Sequence, residues 1–315
     1  MQECEKELRK VAEKLLAEKK VDLIIGYEEG SLPIRTRPVF IQETGETSRL
    51  VWNSRCESNL CSYLKTIKGR VGIVAKGCDI RSIVGLVKEK QIKREDVFII
   101  AVPCAGIIDR KKIEDILDGR ELLEGVENDS QILLKGEGFE EKVDKDKLVH
   151  ASCKSCGHRN PVLYDTLIGK EISQPEIGEC SDLEEFASKP GDERWAYLNS
   201  EAAECIRCYA CRNVCPACYC PQCFVDQSLP TWFGRTPHPS DSLIFHMIRT
   251  LHTAGRCVDC GACSRVCPMN IELRMLNKKA EKDVKELYHY EAGINLEELP
   301  PMATFKMDDP QEFIK

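Results

Sequence analysis

The chain has 315 residues, 42% of them hydrophobic, enough for one sizeable domain and a smaller one with apolar cores of their own. Its 45 basic and 52 acidic residues leave a net charge of −7, spread along the chain, which argues against a nucleic-acid-binding surface. No apolar run approaches the length of a membrane span and no secretory leader pattern is present, so a cytoplasmic protein without membrane insertion is expected; in a reducing compartment its 19 cysteines point to metal or redox chemistry rather than to a disulfide framework.

In chain order, Leu8, Val11, Ala12, Leu15 and Leu16 follow helical spacing and predict a surface helix. "VDLIIGY" reads as a buried strand, and "RPVFIQ" and "RLVW" have the β-branched and aromatic content of a sheet. "RVGIVAKGCDIRSIVGLVKEK" predicts a strand, a tight turn at Gly77 and Cys78, and a helix that Asp79 caps. "DVFIIAVPCAG" is a further strand ending at Cys104. Alternating strands and helices predict a largely parallel sheet, which places ligands beyond the carboxyl ends of its strands, where Cys78 and Cys104 fall. Residues 119–150 are acidic and rich in Gly and Lys, and only "QILL" suggests a strand there, exposed among loops. "CKSCGHRNP" precedes a polar connection through Pro175, Cys180, Pro190 and Gly191, and a helix is expected over 192–204.

The strongest chemical signal is a repeat. Cys205, Cys208, Cys211 and Cys215, followed by Pro216, make Cys-x-x-Cys-x-x-Cys-x-x-x-Cys-Pro, and Cys257, Cys260, Cys263 and Cys267, followed by Pro268, repeat the pattern 52 residues later. The pair resembles bacterial dicluster ferredoxins, in which three closely spaced thiolates hold three irons of one [4Fe–4S] cube and the displaced fourth serves the other cube. One expected set is therefore Cys205, Cys208, Cys211 and Cys267, and the other Cys257, Cys260, Cys263 and Cys215. Zinc knuckles pair four ligands two by two and have no use for the triplet or the trailing Cys-Pro. Cys218, Cys220 and Cys223 lie outside the pattern. With Cys180 they would complete four ligands for an additional cluster or a zinc ion; otherwise they are small buried hydrophobes. Between the repeats, "SLIFHMIRTLHTA" predicts a helix whose apolar positions pack and whose His246 and His252 are surface or core residues rather than ligands.

Residues 10–170 resemble the beta subunits of coenzyme F420-reducing hydrogenases and related F420-linked dehydrogenases, on "KKVDLIIGYEEG", "VGIVAKGCDIRSIVGLVKE", "DVFIIAVPCAG" and "CKSCGHRNPVLYDTLIG". The resemblance implies a third [4Fe–4S] cluster on Cys78, Cys104, Cys153 and Cys156, beside a flavin. Read from the residues alone, the same four are two strand-end thiols and one Cys-x-x-Cys pair near a crevice, and a zinc knuckle with two inert core thiols is the other reading. Two departures are visible. The family's Gly-rich turn before the first helix, associated with flavin or deazaflavin binding, is replaced by "MQECEKELRK", so weak or no F420 binding is expected, with FAD retained only if other parts of the crevice suffice. Where the family has Gly-Thr-Lys-Tyr, "NSRCESNLCSYLK" supplies Cys56 and Cys61, which either join the strand-end site or stand by it; Cys4 reads as a surface thiol.

The expected architecture is an α/β F420 hydrogenase/dehydrogenase beta-subunit-like domain over 1–175, a linker and helix over 176–204, a small α+β ferredoxin-like domain with an insertion over 205–275, and a C-terminal helix and tail over 276–315. "GYEEG" is not a dinucleotide fingerprint, and no phosphate loop or catalytic triad is present. Several clusters in one chain imply a relay between redox partners. The expected function is an iron–sulfur electron-transfer subunit of a multi-subunit oxidoreductase of anaerobic metabolism, such as a hydrogenase, formate dehydrogenase or heterodisulfide-reductase-like complex. The alternative is a catalytic iron–sulfur flavoprotein that oxidises F420H2 or a nicotinamide through FAD.

Overall fold

In the computed structural model, residues 2–174, 181–305 and 307 are described. They divide into two compact units, Met1–Ile80 with Ile92–Ile177, and Arg81–Gln91 with Gly178–Lys315.

The first unit opens with α1 (Gln2–Ala17), whose Leu8, Ala12, Leu15 and Leu16 are buried as the periodicity requires. β1 (Leu23–Glu29), β2 (Thr36–Ile41), β3 (Val71–Ala75) and β4 (Val97–Ala101) join the short β8 (Thr166–Leu167) in one sheet of order β2-β1-β3-β4-β8. Only the β1–β2 pairing is antiparallel. Every residue of the central β3 is buried, consistent with a parallel strand covered on both faces. Between β3 and β4, α2 (Gly77–Lys88) begins two residues before the expected cap. Asp79 thus sits in its first turn and reaches back to accept the Lys76 N–H at 3.1 Å.

Two expectations for this unit are corrected. "RLVW" is not a strand: Arg49 ends a 3₁₀ turn, and Leu50, Val51 and Trp52 are buried as a plug against β1, with Leu50 pressed onto Gly26. Their apolar content serves packing instead of a ladder. Residues 122–144 form a three-stranded antiparallel sheet, β5 (Leu122–Glu127), β6 (Gln131–Gly136) and β7 (Phe139–Asp144), rather than one strand among loops. Only Ile132 and Leu134 of β6 are fully buried, packing with Ile34, Ile113, Leu117 and Leu148. A three-stranded sheet that buries one face of its middle strand leaves little apolar signal in its flanking strands. Around it lie α3 (Arg110–Leu117), α4 (Lys145–Leu148) and α5 (Ala151–Lys154).

The second unit contains α6 (Ser181–Ser188), α7 (Gly191–Ala203), α8 (Ala210–Asn213), α9 (Pro239–Thr253), α10 (Ala262–Val266) and α11 (Arg274–Tyr288). The expected α+β character is corrected here: among its described residues 181–305 there are helices and turns but no strand. Closely spaced cysteines fold the chain into tight turns that leave no extended run to pair. The sequence repeat is also a backbone repeat. Arg207 and Tyr209 have φ of +56° and +59°, and their counterparts Asp259 and Gly261 have +52° and +69°. In both copies the left-handed turn leads into a short helix, α8 or α10. Arg274 clamps Asp259 with Nε at 2.7 Å and Nη2 at 2.9 Å, holding the second copy's turn.

Candidate metal centres

Cys205, Cys208 and Cys211 line one small cavity together with Cys267 of the other repeat. Cys205, Cys211 and Cys267 also pack with Val225, Phe245, Ile271 and Leu273 in one buried cluster. Cys215 lies in the opposite company, acting electrostatically on Cys257, Cys260 and Cys263. Cys267 thus lies with the first three cysteines of the other repeat, and Cys215 lies near the first three cysteines of the second.

The donor chemistry fits iron–sulfur cubes. Burial pushes the Cys211 thiol up to about 12 and the Cys260 thiol up to about 11, and it raises Cys257 and Cys263. Such thiols ionise only against a strong local positive charge, which coordinated iron provides. Among the described residues, no three His, Cys, Asp or Glu side chains are grouped so as to hold a single metal ion. A cube spreads its ligands over four corners, so it sets a different requirement. N–H groups already address the sulfurs: the Asp259 amide lies 3.4 Å from Cys257 Sγ, and Asn277 Nδ2 lies 3.7 Å from Cys263 Sγ.

Two basic residues of α9 stand against the thiols: His246, expected only as a surface or core residue, and Arg249, which the sequence did not single out. His246 is buried, with Nε2 3.3 Å from Cys205 Sγ, and burial drives its pKa down to about 4, so the ring is neutral. Arg249 is buried among Cys215, Cys263, Cys218 and Cys211, and its Nη2 donates to the Cys211 carbonyl at 3.3 Å. Burial opposes the Arg249 charge, but the surrounding cysteines outweigh it and hold the pKa above the ordinary arginine value. The available signal was positional: Phe245, His246, Arg249 and Thr253 occupy one buried face of α9, so its polar residues point inward with the packing ones. His252 is exposed, with its ring edge-on to Phe224.

Cys218, Cys220 and Cys223 line a separate cavity of about 520 Å³. Cys180 lies outside the described residues.

In the first unit, Cys78 is the second residue of α2, Cys104 follows β4, Cys153 lies in α5 and Cys156 follows it. Backbone contacts gather these segments. The Cys104 amide donates to the Arg159 carbonyl at 2.9 Å, and the Ile107 amide lies 3.4 Å from Cys153 Sγ. Gly77, beside Cys78, sits so close to the His158 carbonyl that any side chain there would collide with it. Burial and then the neighbouring Cys153 push the Cys104 thiol up to about 12. Lys76, wholly buried, pairs with Asp79 at 2.9 Å and donates to the Tyr27 hydroxyl at 2.5 Å and the Ser58 carbonyl at 2.9 Å. Burial opposes its charge, but Asp79 and Tyr27 outweigh that and raise its pKa well above the usual lysine value. Cys56 and Cys61 are fully buried; Cys61 Sγ donates to the Asp79 carbonyl at 2.9 Å, and Cys56 Sγ accepts the Asn53 amide at 3.5 Å. Beyond the ends of β4 and β8 opens a cavity of about 290 Å³ lined by Cys104, Gly106, Trp52 and Gly169. Cys4, expected on the surface, is half-buried and lines it too.

Among the described residues no helix is long and apolar enough to cross a membrane. No family model matches the chain. It is 25% identical, over 91% of its length and 91% of the relative's, to the F420-dependent formate dehydrogenase subunit beta of Methanocaldococcus jannaschii. It is 24% identical to F420-dependent formate dehydrogenase 1 subunit beta of Methanococcus maripaludis, over 89% of this chain and 88% of that one. A putative ferredoxin-3 of Sinorhizobium fredii is 35% identical over 80 residues, which are 24% of this chain and 75% of that one. Among solved structures, a chain of the F420-reducing [NiFe] hydrogenase complex of Methanosarcina barkeri aligns with a TM-score of 0.38 and 16% identity, over 48% of this chain and 58% of that one. The chain is a homologue of the beta subunits of F420-dependent formate dehydrogenases, with a ferredoxin-like stretch toward its C-terminus.

Proposed function

We propose that this chain is an iron–sulfur electron-transfer subunit of a multi-subunit oxidoreductase of anaerobic metabolism, working with other redox subunits. The observation that supports the reading is that Cys267 lines a cavity with Cys205, Cys208 and Cys211 while Cys215 lies near Cys257, Cys260 and Cys263, which is what an exchange of fourth cysteines between the repeats requires. Two independent zinc knuckles have no need of that exchange. Cys205, Cys208, Cys211 and Cys267 would hold one [4Fe–4S] cluster, Cys257, Cys260, Cys263 and Cys215 a second, and Cys78, Cys104, Cys153 and Cys156 a third. Each cluster, when bound, supplies a one-electron carrier. The protein's own part is to bury the thiols, aim N–H groups at their sulfurs and place Arg249 among cysteines of both repeats. A cytoplasmic location accords with a chemistry that needs a reducing compartment.

The cavity beyond β4 and β8 favours a second activity on the same chain. It lies at the carboxyl ends of parallel strands and is lined by Cys104, the position at which an α/β sheet receives a cofactor. A flavin held there would make the chain a catalytic subunit for F420H2 or a nicotinamide, as the relatives' F420-linked names suggest.

The deciding experiment is anaerobic purification of the full chain with its co-purifying subunits, followed by visible absorbance with and without dithionite, EPR and flavin extraction. Broad visible absorbance bleached by dithionite supports the relay, and released flavin adds the catalytic role. A colourless, iron-free protein rules the proposal out.

A further inference from the structure

One cavity of the second unit, of about 520 Å³, is lined by cysteines that lie outside the repeats. Cys218, Cys220 and Cys223 line it, with Arg212, Arg249, Arg256, His252 and Asp226. Its volume of about 520 Å³ far exceeds the space of one small occupant, a water taking about 30 Å³. Arg249 is 4% exposed, lines this cavity and hydrogen-bonds Cys218. The sulfides and thiolates of a cube accept hydrogen bonds, and their negative charge suits a wall that carries three arginines.

We infer that Cys218, Cys220 and Cys223 hold a further [4Fe–4S] cluster in this cavity, with Arg249 donating to its sulfur atoms. Three closely spaced thiolates serve three irons, as in each repeat, and Asp226 and His252 line the same cavity as donors for the fourth. Cys218 hydrogen-bonds with Cys215, so the cluster would stand next to the set that takes Cys215 and would extend the relay from it. The inference rests on the reading of the repeats as cluster sites, and its test keeps the two apart.

The test measures iron, acid-labile sulfide and zinc per full-length chain, anaerobically, in the wild type and in Cys218→Ser/Cys220→Ser/Cys223→Ser. The variant should lose about four irons and four sulfides, the content of one cube, while the EPR signals of the repeat clusters persist. Because the triple change can impair folding, Cys220→Ser is measured as well. Cys220 is exposed, so its replacement removes little packing, and it should lower the same iron. Iron retained in full by both variants, or one zinc lost in its place, overturns this inference alone. A wild type without iron overturns the functional proposal together with it.

Discussion

The imidazole Nε2 of His246 lies 3.3 Å from the Sγ of Cys205, bringing a neutral imidazole from α9 within hydrogen-bond reach of the first thiol of the first repeat, to which its Nε2 tautomer would donate. A hydrogen bond to a ligand sulfur stabilises the more negative, reduced state and raises the reduction potential. His246→Phe is therefore expected to retain iron but lower the potential of the cluster on Cys205, Cys208, Cys211 and Cys267. The shift should be roughly 60 mV, a tenfold change in a one-electron equilibrium. EPR-monitored redox titration reads it, and His246→Gln, which keeps a donor, should recover part of it. An unchanged potential in the Phe variant assigns His246 to packing alone.

Cys215→Ser is expected to damage the cluster proposed on Cys257, Cys260 and Cys263, near which Cys215 lies, and to spare that of Cys205, Cys208 and Cys211. Mössbauer spectra of the isotopically labelled variant would distinguish the two. Damage confined to the cluster of its own repeat would contradict the exchange.

Replacing Cys153 and Cys156 together by Ser should lower iron by about four per chain and leave the ferredoxin-type signals intact. Gly77→Ala tests the same centre without touching a thiol, because its methyl group collides with the His158 carbonyl. Overpacking of that kind costs about 1–3 kcal/mol and should displace the segment that carries Cys156 away from Cys78. Iron analysis and denaturant midpoints read the two effects separately, and a Gly77→Ala protein with wild-type values for both would refute the assigned packing.

Lys76 and Asp79 form a buried ion pair 2.9 Å apart. Lys76→Met leaves Asp79 without its cation and should destabilise the first unit by about 3–5 kcal/mol, measured by denaturant unfolding. Asp79→Asn in the same chain should recover most of the loss, since the amide oxygen can still accept the backbone N–H of residue 76. No recovery would mean that Lys76 acts mainly through Tyr27 and Ser58.

Local spacing alone determined the paired cysteine repeats, the strand-end positions of Cys78 and Cys104 and the parallel run of strands, because thiol intervals and hydrophobic periodicity are set within a few residues. Tertiary structure decided the rest. "RLVW" became a plug because β1 offers its buried Leu50 the bare surface of Gly26, a contact no propensity of those four residues encodes. The sheet of β5, β6 and β7 was hidden because only β6 buries apolar residues fully, and its flanking strands read as polar loops. His246 and Arg249 read as ordinary helix residues until α9 packed them inward. A side chain's periodicity states which face it occupies, and only the packing of that face states whether it meets solvent, an apolar core or a nest of thiols.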